Sequence, residues 1–352
     1  LCTYNKVFVR TNTLKNIKIG KLMSLPIIGI TMGDPAGIGP EIIVKSLMND
    51  KLYGNFQLLV IGDSNCLEHE IKKNNLVLDI NICSSIEDIK NSGKHIINCL
   101  NIGKKISNIK YGIHSDIYGE ASYQYICEAV NLALTKKINA ICTAPISKKA
   151  LQMAGHNFPG HTELLAYLTN TKEVSLMLST PKMNVIHVTA HIGLIEAIKK
   201  INSDLVFRTI ERGRNITKQL INKDPKIGVC AINPHAGEEG LFGNNGEEIK
   251  ILPAINKALN FEWNIKGPLP TDSLFYQAGL KKFDLIVAMY HDQGHGPVKV
   301  MGIDDGINIT VGLPLIRTSV DHGTAFDISG KGIAKETNMI NAINKAYYLI
   351  KK

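Results

Sequence analysis

Short runs of aliphatic and β-branched residues recur along the chain at 26–31, 58–61, 140–143, 185–189, 227–232 and 285–289, with longer amphipathic stretches between them. Runs of that length read as strands and the stretches between them as helices, so the alternation predicts an α/β protein. The end of the chain, 336–352, predicts a helix with Ile340, Ile343, Ala346 and Tyr347 on one face. The first 22 residues show no period and end in a basic stretch, which makes Met23 a plausible start. No repeat and no Pro/Gly/Ser linker interrupts the rest, so two domains, if present, share crossing strands.

Composition narrows the class. With 352 residues, 44% of them hydrophobic, the chain can bury a sizeable core. No apolar run reaches the ~18 residues of a membrane span and no signal-peptide pattern opens the chain, so the expected location is the cytoplasm. The seven cysteines form no C-x-x-C pair and read as reduced thiols, with Cys142 and Cys230 inside apolar strand-like runs. The net charge of +9 is scattered lysine, with one tryptophan and no basic arm. This argues against nucleic acid as a partner, although a mild positive field attracts an anionic substrate.

The chemistry collects just after the apolar runs: Met32-Gly33-Asp34, Gly62-Asp63, Ala144-Pro145, His191, Asn233-Pro234-His235 and His291-Asp292-Gln293-Gly294. Carboxyl ends of strands form the ligand crevice of open α/β sheets, so His191, His235 and His291 are expected to meet there as a metal site. Three imidazoles leave coordination positions open, as catalysis requires. His187 is set aside as structural. Its segment is too β-branched for a helix, and four strand steps put it roughly 13 Å from His191.

The turn Gly33-Asp-Pro-Ala-Gly-Ile-Gly-Pro-Glu41 lacks both the P-loop and the Rossmann fingerprints, leaving a tight corner and a phosphate site as open alternatives. His161 and Thr162, opening a helical stretch, can donate to a phosphate or carboxylate, or Thr162 can simply cap the helix. Arg317 offers a bidentate fork and Lys299 a point charge, each with a surface-charge alternative. Asp272 has the competing role of turn residue.

Six ordered segments carry a resemblance: Thr31-Met-Gly-Asp-Pro-Ala-Gly-Ile-Gly-Pro-Glu41, Pro159-Gly-His-Thr-Glu163, Asn233-Pro-His-Ala-Gly-Glu238, Gly267-Pro-Leu-Pro-Thr-Asp272, Met289-Tyr-His-Asp-Gln-Gly294 and Asn308-Ile-Thr-Val-Gly-Leu-Pro314. Together they resemble the 4-hydroxythreonine-4-phosphate dehydrogenases and their relatives acting on 4-phospho-threonate or 4-phospho-erythronate. A second, weaker likeness is to isopropylmalate and isocitrate dehydrogenases, through Asp321-His-Gly-Thr-Ala325 and Ile328-Ser-Gly-Lys-Gly-Ile-Ala334.

The resemblance implies two α/β domains with a cleft between them, at 24–145 plus 305–352 and at 146–304, after an extension at 1–23. It implies one divalent ion (zinc, cobalt, magnesium or manganese) on His191 and His235 of one subunit and His291 of a dimer partner. It further implies substrate contacts at His161, Thr162, Lys299, Asn308 and Arg317, and NAD or NADP against Asp321, His322 and Gly323. The implied reaction is oxidation of a C3 hydroxyl to a 3-oxo acid that loses carbon dioxide, with Asp292, Asp272 and Lys148 as candidate proton acceptors. Gly294-His295-Gly296-Pro297-Val298-Lys299 departs from the biosynthetic pattern and looks closer to the phospho-threonate branch. A metal-dependent hydrolase, a phosphate acyltransferase on a related scaffold and a non-catalytic metabolite-binding protein are the competing readings.

Overall fold

The computed structural model describes residues 25–90, 95–302 and 306–351, so the expectations for 1–23 and Met23 lie outside it. The six predicted runs are strands β1 (Ile27–Thr31), β2 (Gln57–Gly62), β5 (Ala140–Thr143), β7 (Asn184–His187), β8 (Ile227–Cys230) and β10 (Leu285–Ala288). Six others join them: β3 (Asp79–Cys83), β4 (Ile96–Asn101), β6 (Ser175–Ser179), β9 (Ile265–Leu269), β11 (Ile307–Val311) and β12 (Arg317–Val320). All twelve form one sheet in the order β3-β4-β2-β1-β5-β12-β11-β6-β7-β10-β8-β9, and helices fill the connections other than those from β6 to β7 and from β11 to β12. The α/β expectation therefore holds, and the sheet runs unbroken through both expected domains.

Two parallel blocks flank an antiparallel centre. The strands β3-β4-β2-β1-β5-β12 are mutually parallel, as are β7-β10-β8-β9. Between them, β12 to β11, β11 to β6 and β6 to β7 are each antiparallel. Three reversals leave the second block running against the first, so the carboxyl ends of the two blocks lie on opposite edges. The expectation of one shared polar edge is thereby corrected for the loops after β1 and β2, while the loop after β5 still lines a cavity with His191 and His291. The loops after β7, β10 and β8, which carry His191, His291 and His235, do share an edge, while those after β1, β2 and β5 lie on the other.

The core follows from apolar strands sandwiched between helices. On β1, Ile28 and Ile30 are fully buried, and Cys142 on β5 and Cys230 on β8 are buried thiols, as their apolar settings predict. The C-terminal helix Thr337–Ile350 buries Met339, Ala342, Ile343 and Ala346, and Thr318 of β12 donates to its Ala342 carbonyl. Ile340 and Tyr347 pack only partly against the core, so the buried face is rotated from the one predicted.

The glycine turn after β1 is a corner. All residues from Thr31 to Val44 are buried; Ile38 N–H donates to the Thr324 carbonyl, and a Cβ on Gly37 would meet Thr324 at 3.0 Å. The N–H groups of Asp34, Gly37 and Ile38 are already paired and the turn is buried, which favours the tight corner over a phosphate site. No described helix is long and apolar enough to cross a membrane.

Candidate functional site

A cavity of about 290 Å³ lies where the two blocks approach across the antiparallel centre. Arg317 and Ser319 on β12 and Asn308 on β11 line it from the sheet, alternate positions sharing a face. Thr143 to Ile146 close one side and His191, His291 and His295 the other. A second cavity of about 710 Å³ shares Thr162, Leu176 and His191 with it.

Arg317 is the dominant charge here, and it is not on the surface. It is 3% exposed; one terminal nitrogen donates to Thr310 Oγ1 at 2.9 Å, the other to Thr143 Oγ1 at 2.7 Å, and Nε has no partner. Among the described residues no carboxylate lies within ion-pair distance. Burial lowers its pKa to about 10, the cost of holding a cation out of water without a counter-ion.

His161 stands beside it with Nε2 buried and unpartnered. Burial first, and then the Arg317 charge, push its pKa well below the usual histidine value, so the ring is neutral. The helix His161–Leu168 is capped by Gly160 without a side-chain hydrogen bond, so Thr162 lines the cavity and does not cap. Asn308 Oδ1 is likewise unpartnered. Lys299, 3.5 Å from Asp321, and Lys148, first residue of the helix Lys148–Met153, add two amines to the lining. Buried polar groups are ordinarily paired, so this concentration of unsatisfied atoms around a guanidinium fits an anionic ligand.

The histidines are only partly assembled. His191 and His291 of the same chain face each other with ring centroids 5.8 Å apart. Each has a carboxylate behind it: His191 Nδ1 is 3.6 Å from Glu163, and His291 Nδ1 is 2.7 Å from Asp292. Carboxylates in such positions fix the tautomer and aim of a metal-binding imidazole, so the pair fits one ion. Burial opposes the charged Glu163, but the His191 contact and a backbone N–H outweigh it and hold its pKa below the usual range. His235 stands apart, its ring 6.3 Å from Phe242 on a loop in left-handed backbone at φ 53°. No three described His, Cys, Asp or Glu side chains form a cluster able to hold an ion.

Asp321, His322 and Gly323, expected at the cofactor, line the same cavity, and His322 Nε2 is buried without a partner. Such an atom is available to a polar group such as a ribose or phosphate, so the loop fits a dinucleotide end. Of the three candidate proton acceptors only Lys148 lines the cavity. The Asp292 side chain is 92% exposed and serves His291, whereas Asp272 accepts from Ser273 N–H at the start of a helix.

Sequence reasoning missed Glu163 as a brace, although it quoted the residue, and missed the part played by His187. His187 is indeed structural, 1% exposed with Nδ1 on the Leu176 carbonyl, but its other nitrogen meets His295, which stacks on His291.

Fold and cavity place the chain among α/β enzymes that handle small anionic metabolites. The family described as "Pyridoxal phosphate biosynthetic protein PdxA" matches residues 55–346, and the chain belongs to it; it is a dehydrogenase of that family. It is 54% identical over 322 residues to the D-threonate 4-phosphate dehydrogenase of Cupriavidus necator, covering 91% of this chain and 96% of that one. To the 4-hydroxythreonine-4-phosphate dehydrogenase of Desulforapulum autotrophicum it is 40% identical over 326 residues, covering 91% and 94%. A crystal structure titled as a 4-hydroxythreonine-4-phosphate dehydrogenase, from Burkholderia phymatum, superposes with a TM-score of 0.80 at 52% identity, covering 92% and 98%.

Proposed function

We propose that this chain oxidises the C3 hydroxyl of a 4-phosphorylated 2,3-dihydroxy acid, with D-threonate 4-phosphate as the substrate class and NAD or NADP as hydride acceptor. The 3-oxo acid so formed loses carbon dioxide. The observation that carries the reading is Arg317, a buried guanidinium without an acid partner, beside the neutral His161 and within the cavity that also holds His191 and His291. The guanidinium fork, His161 and Lys299 suit a phosphate or carboxylate, while His322 and Asp321 suit the cofactor. The 54% identity to a named D-threonate 4-phosphate dehydrogenase and the His295 segment favour a hydroxyl at C2.

A divalent ion on the histidines would polarise the C3 oxygen and favour its alkoxide. His191 and His291 hold their side of that site, braced by Glu163 and Asp292. Lys148 is the one cavity-lining candidate to take the hydroxyl proton as hydride leaves C3. We infer that the third ligand, His235, is supplied by a second copy of the chain. Supporting this, Leu194 and Ile195 just after His191, and Leu241 and Phe242 just after His235, are large apolar side chains left exposed. An apolar surface beside an incomplete site suits a subunit interface.

The test is a turnover panel of 4-phosphooxy-threonine, the D- and L-4-phospho-threonates and 4-phospho-erythronate, each with both nicotinamides and several divalent ions. Reduced nicotinamide and carbon dioxide should appear together with the D-threonate compound. Phosphate release without nicotinamide reduction would overturn the proposal in favour of a hydrolase.

A further inference from the structure

Behind His291 lies a pair of imidazoles that neither metal binding nor phosphate binding uses. His187, at the end of β7, is 1% exposed, and His295, one turn after His291 on the helix His291–Gly302, is 7% exposed. His187 Nδ1 is 3.1 Å from the Leu176 carbonyl oxygen, and His187 Nε2 is 3.1 Å from His295 Nδ1. The His295 ring stacks on His291 with centroids 3.8 Å apart and planes 11° from parallel, and it lines the site cavity. Gly294 makes the arrangement possible, since a Cβ there would stand 2.3 Å from His187 Nε2.

The protons in this chain have one consistent order. A carbonyl oxygen only accepts, so the His187 nitrogen facing Leu176 carries the hydrogen. A neutral imidazole has one N–H, so His187 Nε2 is then a lone pair and must accept, which places the hydrogen of His295 on its Nδ1. His295 Nε2 is left as a lone pair. With Nδ1 turned to His187 and one face stacked on His291, the ring edge available to a ligand carries that lone pair. Both rings are buried and each turns a nitrogen to the other, an arrangement that two neutral imidazoles satisfy.

We propose that His295 is a specificity-determining residue whose Nε2 is an obligate hydrogen-bond acceptor in the cavity, held in that state by His187, and that it reads the hydroxyl at C2 of the substrate. The second half rests on the function proposed above. The remaining lining of the cavity supplies the cationic donors Arg317 and Lys299, suited to phosphate and carboxylate, and the unpartnered amide oxygen of Asn308. A hydroxyl between those anionic ends can donate its hydrogen to an open acceptor, and the bare Nε2 of a neutral imidazole provides one.

The first measurement uses the ligand-free protein. Imidazole ¹⁵N shifts, assigned with His295→Phe and His187→Leu, should show Nδ1–H with a bare Nε2 for both rings; an Nε2–H on His295 overturns the proposal. The second is calorimetric binding of D-threonate 4-phosphate and its 2-deoxy analogue. The wild type should prefer the hydroxylated compound by about tenfold, the worth of one hydrogen bond. His295→Phe keeps the stacking and should lose that preference while still binding both compounds. His187→Leu should weaken the preference and broaden or shift the His295 signals, an effect that packing alone does not produce. Full discrimination by His295→Phe overturns the assignment. Failure of the wild type to bind either compound would instead overturn the substrate reading, and the nitrogen shifts would still decide the proton order.

Discussion

Arg317→Met separates the anion site from the fold. In the folded protein the guanidinium pKa falls from 12.5 to about 10, and at 3% exposure that shift converts to about 3 kcal/mol against the charged, ligand-free state. Methionine removes this penalty and fills much of the same volume, but it forfeits the bonds to Thr143 and Thr310, worth about 1 kcal/mol each. The balance is close to zero or slightly favourable, so the melting temperature should stay within about 4 °C of wild type or rise. Ligand binding should respond in the opposite sense. In wild type, inorganic phosphate at 100 times its Kd adds about 2.7 kcal/mol and raises the melting temperature, whereas the variant should show no such shift. Thermal scans of both proteins across a phosphate titration read both effects. A variant that melts more than about 5 °C lower, or that keeps the phosphate shift, would refute the view that Arg317 is an unpaired cation awaiting an anion.

Other perturbations test other parts of the molecule. Asp34 is fully buried with Oδ2 unpartnered, and burial, opposed by the Ala36 N–H, raises its pKa from 3.8 to about 6. The folded state therefore holds this proton more tightly than the unfolded one, so its contribution to stability is present below pH ~4 and lost as pH rises to ~6. Asp34→Asn should stabilise the protein at pH 7 by up to about 3 kcal/mol and have little effect at pH 4 in denaturant titrations; an equal effect at both would reject the assignment. Asp292→Ala and Glu163→Gln should each weaken metal retention by about tenfold while leaving the melting temperature of the metal-free protein alone, as elemental analysis after dialysis would show. Subunit mixing tests how the ligands are divided. If His191 and His291 act from one chain and His235 from the other, hybrids of His191→Ala with His235→Ala recover activity at one of two sites and hybrids of His191→Ala with His291→Ala recover none. The division implied by family resemblance gives the reverse pattern.

The legible parts of the fold were those where pattern and burial agree. Strands buried on both faces, such as β1 and β10, read directly as aliphatic runs bounded by turn residues. β11 and β12 did not, because Asn308 and Thr310 alternate with apolar residues on β11 and Arg317, Thr318 and Ser319 run together on β12, as on a surface strand. Here the polar face is turned onto the ligand cavity, where the same alternation serves function. The reversal of the second block was also illegible, because it depends on three antiparallel pairings that local sequence does not encode. One consequence was the unwarranted expectation that Asp34 and Asp63 share an edge with the histidines.

The candidate site divides along the same line. Residues announced by a chemical type at a strand end, His191 and His291, were singled out from position alone, and both line the cavity. Those whose role comes from a partner distant in sequence were not: Arg317 is held by Thr143, 174 residues away, and His295 by His187, 108 away. His187 shows how the two kinds of information combine. Its place at the end of β7 leaves the ring 1% exposed and bonded to the Leu176 carbonyl. The same strand geometry turns its ring inward toward Gly294, and the missing side chain there lets one buried imidazole set the proton position of another. A residue dismissed as structural thereby governs which hydrogen-bonding face the cavity presents, through contacts that only the folded chain creates.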